Sequence, residues 1–241
     1  MIVDRVEQPD WLSNAYLVAE GPGGSGVLVD ANGLEETLER RIEADGITLT
    51  HVLCTHGHVD HVVGIEELAQ RHGVPLLAHP DTDVEATARL ADGETVASGG
   101  LEIRSLYTPG HCRDHIAFLV DGSHCITADV LFRGTVGGTA GPTGDLGELK
   151  HSILDVLLGL DPGTVVLPGH REATTIAAER ETNPFIRAWL DGEGLVEEPC
   201  RVNGEDATLL LWAPDYDGGN KALVRLASGA ETIVGGSRVE R

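Results

Sequence analysis

Residues 47–61 read ITLTHVLCTHGHVDH, and the change of character at Cys54 governs how the rest of the chain is read. Up to Cys54 the run is apolar and rich in β-branched residues, which is the composition of a strand. Beyond it, His56, His58, Asp60 and His61 crowd into six positions. Asp60 alone would pass as the N-cap of a helix carrying Val62, Ile65, Leu68 and Ala69. The cluster as a whole would not, because so many titratable groups crowd one another unless a ligand draws them together. Imidazole nitrogen and carboxylate oxygen are the donors that zinc and divalent iron or manganese accept.

Working outward, the arrangement recurs three times. LEIRSLY (101–107) runs into TPGH and His111, HCIT (124–127) into Ala128 and Asp129, and TVVL (164–167) into PGH and His170. If these four strands are neighbours that point the same way, their ends converge on one rim, where α/β proteins place their sites. His56, His58, Asp60, His61, His111, Asp129 and His170 then meet. Seven donors exceed the need of one four-coordinate ion and point to two ions that share a carboxylate. His115, four residues past His111, is placed to orient a ligand. His51, His72, His79, His124 and His151 read as surface or supporting residues.

Between the strand-like runs lie helical stripes. Leu34, Leu38 and Ile42 recur every four residues toward a stop at Gly46, and Leu146, Leu149, Ile153, Leu157 and Leu160 form one face that ends at Pro162-Gly163. This mixture predicts an α/β layered domain over residues 1–194. From Leu195 the helical period disappears, and CRVNG, ATLLLWAP, ALVRLA and ETIVGG around the turn DYDGGN predict a small β-rich extension over 195–241. The Gly-rich stretch GTVGGTAGPTG (134–144) reads as a mobile loop. Within the extension, Trp212 and Tyr216 are the residues to watch if it reaches the site.

The chain has 241 residues, and its 17 Lys and Arg against 39 Asp and Glu give a formal charge of −22. That balance disfavours nucleic-acid backbones and anionic membrane surfaces as partners. No apolar run reaches the ~20 residues of a membrane span, and the amino-terminal stretch MIVDRVEQPD lacks the pattern of a secretory leader. A cytoplasmic protein is expected, with its four cysteines as buried thiols and a homodimer as a possible assembly.

The motifs THGHVDH, TPGH, AD (128–129) and PGH (168–170), in that order, resemble the metal-binding motifs of the metallo-β-lactamase superfamily. Within it, ADVLFRGTVGGT and LPGHREATTIAAERETNPFI resemble the glyoxalase II group of hydroxyacylglutathione hydrolases, especially the short bacterial type. The resemblance implies an αββα sandwich with a dinuclear site at the edge of its sheets. It assigns His56, His58 and His111 to one ion and Asp60, His61 and His170 to the other, with Asp129 as the bridge. Zinc is the expected metal, with iron or manganese as alternatives. Ala128 and Arg171 each stand where this group usually has glycine, and the extension replaces the basic helical domain that full-length members use for glutathione.

The expected reaction is hydrolysis of a small-molecule ester or thioester, by a hydroxide that Asp60 and Asp129 orient between the ions. A thioester suits such a site because a thiol with a pKa near ~8.5 leaves without a strong general acid. Three other readings stand beside it. One is a lactone or ester hydrolase of the same fold. Another is a persulfide dioxygenase with a single iron on His56, His111 and Asp129, and the last is a non-catalytic metal-binding module.

Overall fold

The computed structural model describes residues 1–241, and the chain packs as two compact units. The first comprises Met1–Tyr107, Asp114–Ala128 and Gly169–Arg171, and the second comprises Thr108–Arg113, Asp129–Pro168 and Glu172–Arg241.

The first unit begins with strands β1 (Ile2–Glu7), β2 (Asn14–Ala19), β3 (Ser25–Val29) and β4 (Ala31–Asn32), followed by helix α1 (Glu36–Asp45) and strand β5 (Thr48–Leu53). Helices α2 (Val59–Val62) and α3 (Ile65–His72) and strands β6 (Leu76–Ala78) and β7 (Ala88–Arg89) complete a six-stranded sheet of order β1-β2-β3-β5-β6-β7. Pairing is antiparallel from β1 to β3 and parallel from β3 to β7. Parallel neighbours need crossovers, which α1 and α3 supply. Leu38 and Ile42 of α1 and Ile65, Leu68 and Ala69 of α3 enter one buried cluster with Leu17, Leu28, Val52 and Leu76. Each large aliphatic side chain buried there contributes about 1.5–3 kcal/mol. The parallel pairing also sets the ends of β3 and β5 on one edge of the sheet, and those ends lead into Asp30 and into Thr55–His61.

Helix α1 starts two residues later than its apolar spacing predicts. Asn32 and Glu35 capture the amides of residues 32–34 with their side chains, so that segment turns and Leu34 stays exposed. The stop at Gly46 is as expected: its φ of 63° is the left-handed cap that glycine adopts without strain. Strands β8 (Thr95–Ser98), β9 (Leu101–Tyr107), β10 (Ile116–Val120) and β11 (His124–Ala128) then run as an antiparallel meander.

The second unit holds the short hairpin β12 (Leu131–Phe132) and β13 (Thr135–Val136), then helix α4 (Leu146–His151), which widens into a π turn over Ser152–Val156. Leu146, Leu149, Ile153 and Leu157 are buried along this run, as their spacing predicts. Gly110 lies against it, and a Cβ there would fall 2.1 Å from the Leu149 amide nitrogen, so TPGH admits only glycine at that place. Strands β14 (Val165–Pro168) and β15 (Thr174–Thr175) precede helices α5 (Ile176–Thr182) and α6 (Pro184–Asp191), the latter capped by Asn183.

The unit closes with β16 (Glu198–Val202), β17 (Glu205–Pro214), β18 (Asn220–Leu226), β19 (Glu231–Gly235) and β20 (Val239–Glu240), an antiparallel sheet of order β19-β18-β17-β16-β20. It is the β-rich C-terminal region the sequence predicts, with its own apolar cluster of Cys200, Val202, Leu209, Ala222, Val224 and Val234. It packs in the same compact unit as residues 129–168. All four cysteines are buried free thiols, and burial pushes the Cys125 thiol up to about 12. No helix is long and apolar enough to cross a membrane.

Candidate metal centre

β5 ends at Leu53, and the chain then passes through Thr55 and His56 to a short helical turn whose N-cap is His58. Asp60 is therefore inside the turn rather than capping it, and its carboxylate is free for other work. Its Oδ2 lies 3.6 Å from His61 Nε2 and 3.5 Å from His170 Nε2. Those separations are too long for hydrogen bonds. They match the edge of a coordination shell, since two donors about 2.1 Å from a tetrahedral ion stand about 3.4 Å apart. One donor atom from each of Asp60, His61 and His170 lies within 4.8 Å of the others. The first unit thus brings together a nitrogen–nitrogen–oxygen set that fits a divalent ion.

His56 and His58 adjoin this set. His56 Nε2 faces His58 Nδ1 at 3.1 Å, and the His56 ring lies 4.6 Å from that of His61. Buried Asp30, at the end of β3, sets the orientation of both. Its carboxylate accepts the Thr55 amide and the Thr55 hydroxyl, each at 2.8 Å, and faces His61 Nδ1 at 3.0 Å. A Thr55 hydroxyl whose proton goes to Asp30 can only accept from His56 Nδ1, 3.0 Å away. Both rings then carry a proton on Nδ1 and a lone pair on Nε2, the form that binds metal. Asp114 fixes the Gly57 amide between the two histidines at 2.8 Å. Buried His115 packs its ring 5.2 Å from His56.

The second unit positions His111 and Asp129. His111 Nε2 is 3.6 Å from Asp129 Oδ2, again a ligand-edge distance, and His111 Nδ1 donates to the Gly138 carbonyl at 2.9 Å. The stretch 134–144, read from sequence as mobile, is anchored at both ends of its Gly-Gly pair. Lys221 Nζ donates to the Val136 carbonyl at 2.7 Å, and the Thr139 amide donates to the Ile233 carbonyl at 3.0 Å. Lys221 is buried, with Asp215 at 3.0 Å and the Phe132 and Tyr216 rings at 5.2 and 5.1 Å. Burial pushes its ammonium below the usual lysine range, and the Asp215 carboxylate opposes that shift. Tyr216 therefore reaches the segment after Asp129, 4.9 Å from Phe132, whereas Trp212 stays with the sheet's own cluster.

The seven expected ligands lie at strand ends, in the loops just past them or, for Asp60 and His61, in the short helix α2. Sequence reasoning passed over Asp30, although GVLVD carries the same mark as the other motifs, a carboxylate directly after an apolar run. It had no means of finding the Gly138 carbonyl. His51, His124 and His151 take local partners on Thr50, Ser123 and Asp155, away from the cluster. His72 pairs with Glu39, and His79 stacks on Tyr107 at 4.8 Å.

The metallo-beta-lactamase superfamily model matches residues 9–170. The hydroxyacylglutathione hydrolase GloC of Haemophilus influenzae is 32% identical over 184 residues, covering 67% of this chain and 87% of that protein. The crystal structure of ETHE1 from Myxococcus xanthus superposes with a TM-score of 0.70 at 29% identity, over 80% of this chain and 92% of that one. TTHA1623, crystallised in a di-iron-bound form, superposes with a TM-score of 0.66 at 32% identity, over 76% of this chain and 100% of that one. With its mixed α/β fold, its strand-end histidines and aspartates and a match over most of its length, the chain belongs to the metallo-β-lactamase superfamily.

Proposed function

We propose that the protein is a metal-dependent hydrolase that cleaves small thioesters at a binuclear centre. His56, His58 and His111 would hold one ion, Asp60, His61 and His170 the other, and Asp129 would serve both. The observation that carries this reading is the treatment of the ring nitrogens. His56, His61 and His111 each have Nδ1 engaged, by Thr55, Asp30 and the Gly138 carbonyl, which leaves Nε2 as a donor toward the cluster. The similarity to GloC and to a di-iron protein supports the same reading.

When bound, two divalent ions supply Lewis acidity that polarises a carbonyl and lowers the pKa of water toward neutrality. The protein's part is to orient. Asp60 and Asp129 would present carboxylate oxygens that accept a hydrogen bond from the attacking hydroxide and orient it toward the carbonyl. Asp30 and Thr55 keep His61 and His56 in one tautomer. No strong general acid stands among these residues, which favours a thiolate as leaving group over an amine.

The test is elemental analysis of the protein purified without added metal, paired with assays on S-lactoylglutathione, a simple lactone and a persulfide. Two ions per chain with thioester hydrolysis is the expected result. Two ions with lactone cleavage alone would move the substrate to ring esters. One iron per chain with oxygen-dependent persulfide consumption would overturn the proposal in favour of a dioxygenase.

A further inference from the structure

The family match ends at residue 170, yet the C-terminal sheet that follows makes specific contacts with the segment just after Asp129. Three anchors span that segment. Thr135 Oγ1 donates to Asp215 Oδ1 at 3.4 Å, Lys221 Nζ donates to the Val136 carbonyl at 2.7 Å, and Thr139 meets β19 twice. In the last pair the Thr139 amide donates to the Ile233 carbonyl at 3.0 Å, and the Ile233 amide donates to Thr139 Oγ1 at 2.9 Å. Thr139 Oγ1 also lies 3.0 Å from Thr232 Oγ1.

Between the anchors are only Gly137 and Gly138. A Cβ on Gly137 would fall 2.1 Å from the Asp129 carbonyl oxygen and 3.3 Å from His111 Cβ, so the backbone passes as near to both residues as a polypeptide can. Gly138 then offers its carbonyl to His111 Nδ1 at 2.9 Å. The Gly138 carbonyl shares its peptide unit with the Thr139 amide, so its direction follows from what holds Thr139 on one side of the glycine pair and Val136 on the other, with the Gly137 amide donating to the Val130 carbonyl at 3.1 Å. Val136 and Thr139 are both held by the C-terminal sheet.

We infer that the C-terminal sheet is a positioning element for His111: Thr139 and Lys221 aim the Gly138 carbonyl, which in turn holds the His111 ring in its metal-binding tautomer. Neither side chain touches substrate or ion. Their removal weakens the ion that His111 holds and leaves the ion held by Asp60, His61 and His170 in place. The inference rests on the binuclear reading above.

The experiment compares Thr139→Val, Thr139→Ser and Lys221→Met with the unaltered protein. Cobalt(II) is titrated against a chelator with the visible spectrum as readout, and cooperative thermal unfolding confirms that each variant folds. Removing an outer partner of a histidine ligand costs about 10–100-fold in metal affinity. These variants loosen the Gly138 carbonyl without removing it, so the expected result is a loss of up to about 10-fold in one of the two binding steps for Thr139→Val and Lys221→Met, with recovery in Thr139→Ser. Lys221→Met also leaves the Asp215 carboxylate without its cation, so if one of the two variants does not fold the other decides. Two unchanged binding steps in folded Thr139→Val or Lys221→Met would overturn the inference while the binuclear reading stands. An unaltered protein that binds fewer than two ions would overturn that reading and this inference together.

Discussion

In the first unit the histidines are steadied by groups on the edge of their own sheet. Asp30 leaves β3, Thr55 leaves the neighbouring β5, and the two are joined across 25 residues of sequence. In the second unit His111 leans on a backbone carbonyl, and the segment that carries it is tied to residues 85 and 94 positions further on. The first arrangement is built from side chains on adjacent parallel strands, so it forms when that sheet forms. The second is complete only when the last sheet has packed. Two solutions to the same chemical need therefore differ in how far along the chain their support lies, and changes to the C-terminal sheet should reach only one of them.

The sharpest way to test the difference is to remove a donor outright. Asp60→Ala should abolish binding of one ion and lower kcat/KM by about 10³-fold or more, which is about 4 kcal/mol of transition-state stabilisation. Steady-state kinetics and metal content measured together would check it, and retention of two ions with near-normal turnover would remove Asp60 from the centre. Lys221→Ala acts on stability as well as on the ion that His111 holds. It strands the Asp215 carboxylate, whose side chain is only 7% exposed, without its cation. The expected cost is about 3–5 kcal/mol, read from urea unfolding. An unchanged midpoint would mean that the second unit does not depend on this pair.

Asp30→Asn keeps the shape of the side chain but takes the charge from His61 Nδ1. The expected effect is a fall of about 10–100-fold in affinity for the ion on Asp60, His61 and His170, measured by chelator competition. Asp30 also holds Thr55 and through it His56, so a smaller loss is expected in the other ion's step; unchanged affinity in both steps would remove Asp30 from this role. The smallest effect is expected from Ala128→Gly. Ala128 is buried with a φ of 39°, a left-handed conformation that costs an L-residue about 1–2 kcal/mol. Glycine returns part of that through the entropy of its unfolded chain, so a net gain of about 0.5–1 kcal/mol is expected in thermal unfolding. A loss of stability would show that the alanine methyl packs well enough to outweigh its backbone strain.

Ala128 and Arg171 also show how far the sequence could be read. Both stand where the glyoxalase II group usually has glycine, and both have positive φ, at 39° and 62°. The departure was visible in the letters, and its cause became visible only in the backbone. The helical stripes behaved in the same way. Leu38 and Ile42 are buried as their spacing requires, whereas Leu34 lies outside α1, in the turn that the Asn32 and Glu35 side chains close on the amides of residues 32–34. The Gly-rich stretch 134–144 differs from its sequence reading at residues 136–139 for a related reason. Its composition speaks of freedom, but Val136 and Thr139 are held by hydrogen bonds with β18 and β19, which no local pattern could foretell.

By itself the sequence determined the fold class, the β-rich C-terminal region and the strand-end placement of the seven candidate donors. Each of these is written locally, in strand composition and in the chemistry of single side chains. Tertiary structure alone decided which nitrogen of His56, His61 and His111 is engaged by the protein and which is left as a donor. That choice depends on Asp30, Thr55 and the Gly138 carbonyl, groups brought into place by strand pairing and by a distant sheet. A backbone carbonyl has no letter of its own, and its direction exists only once the chain around it has packed.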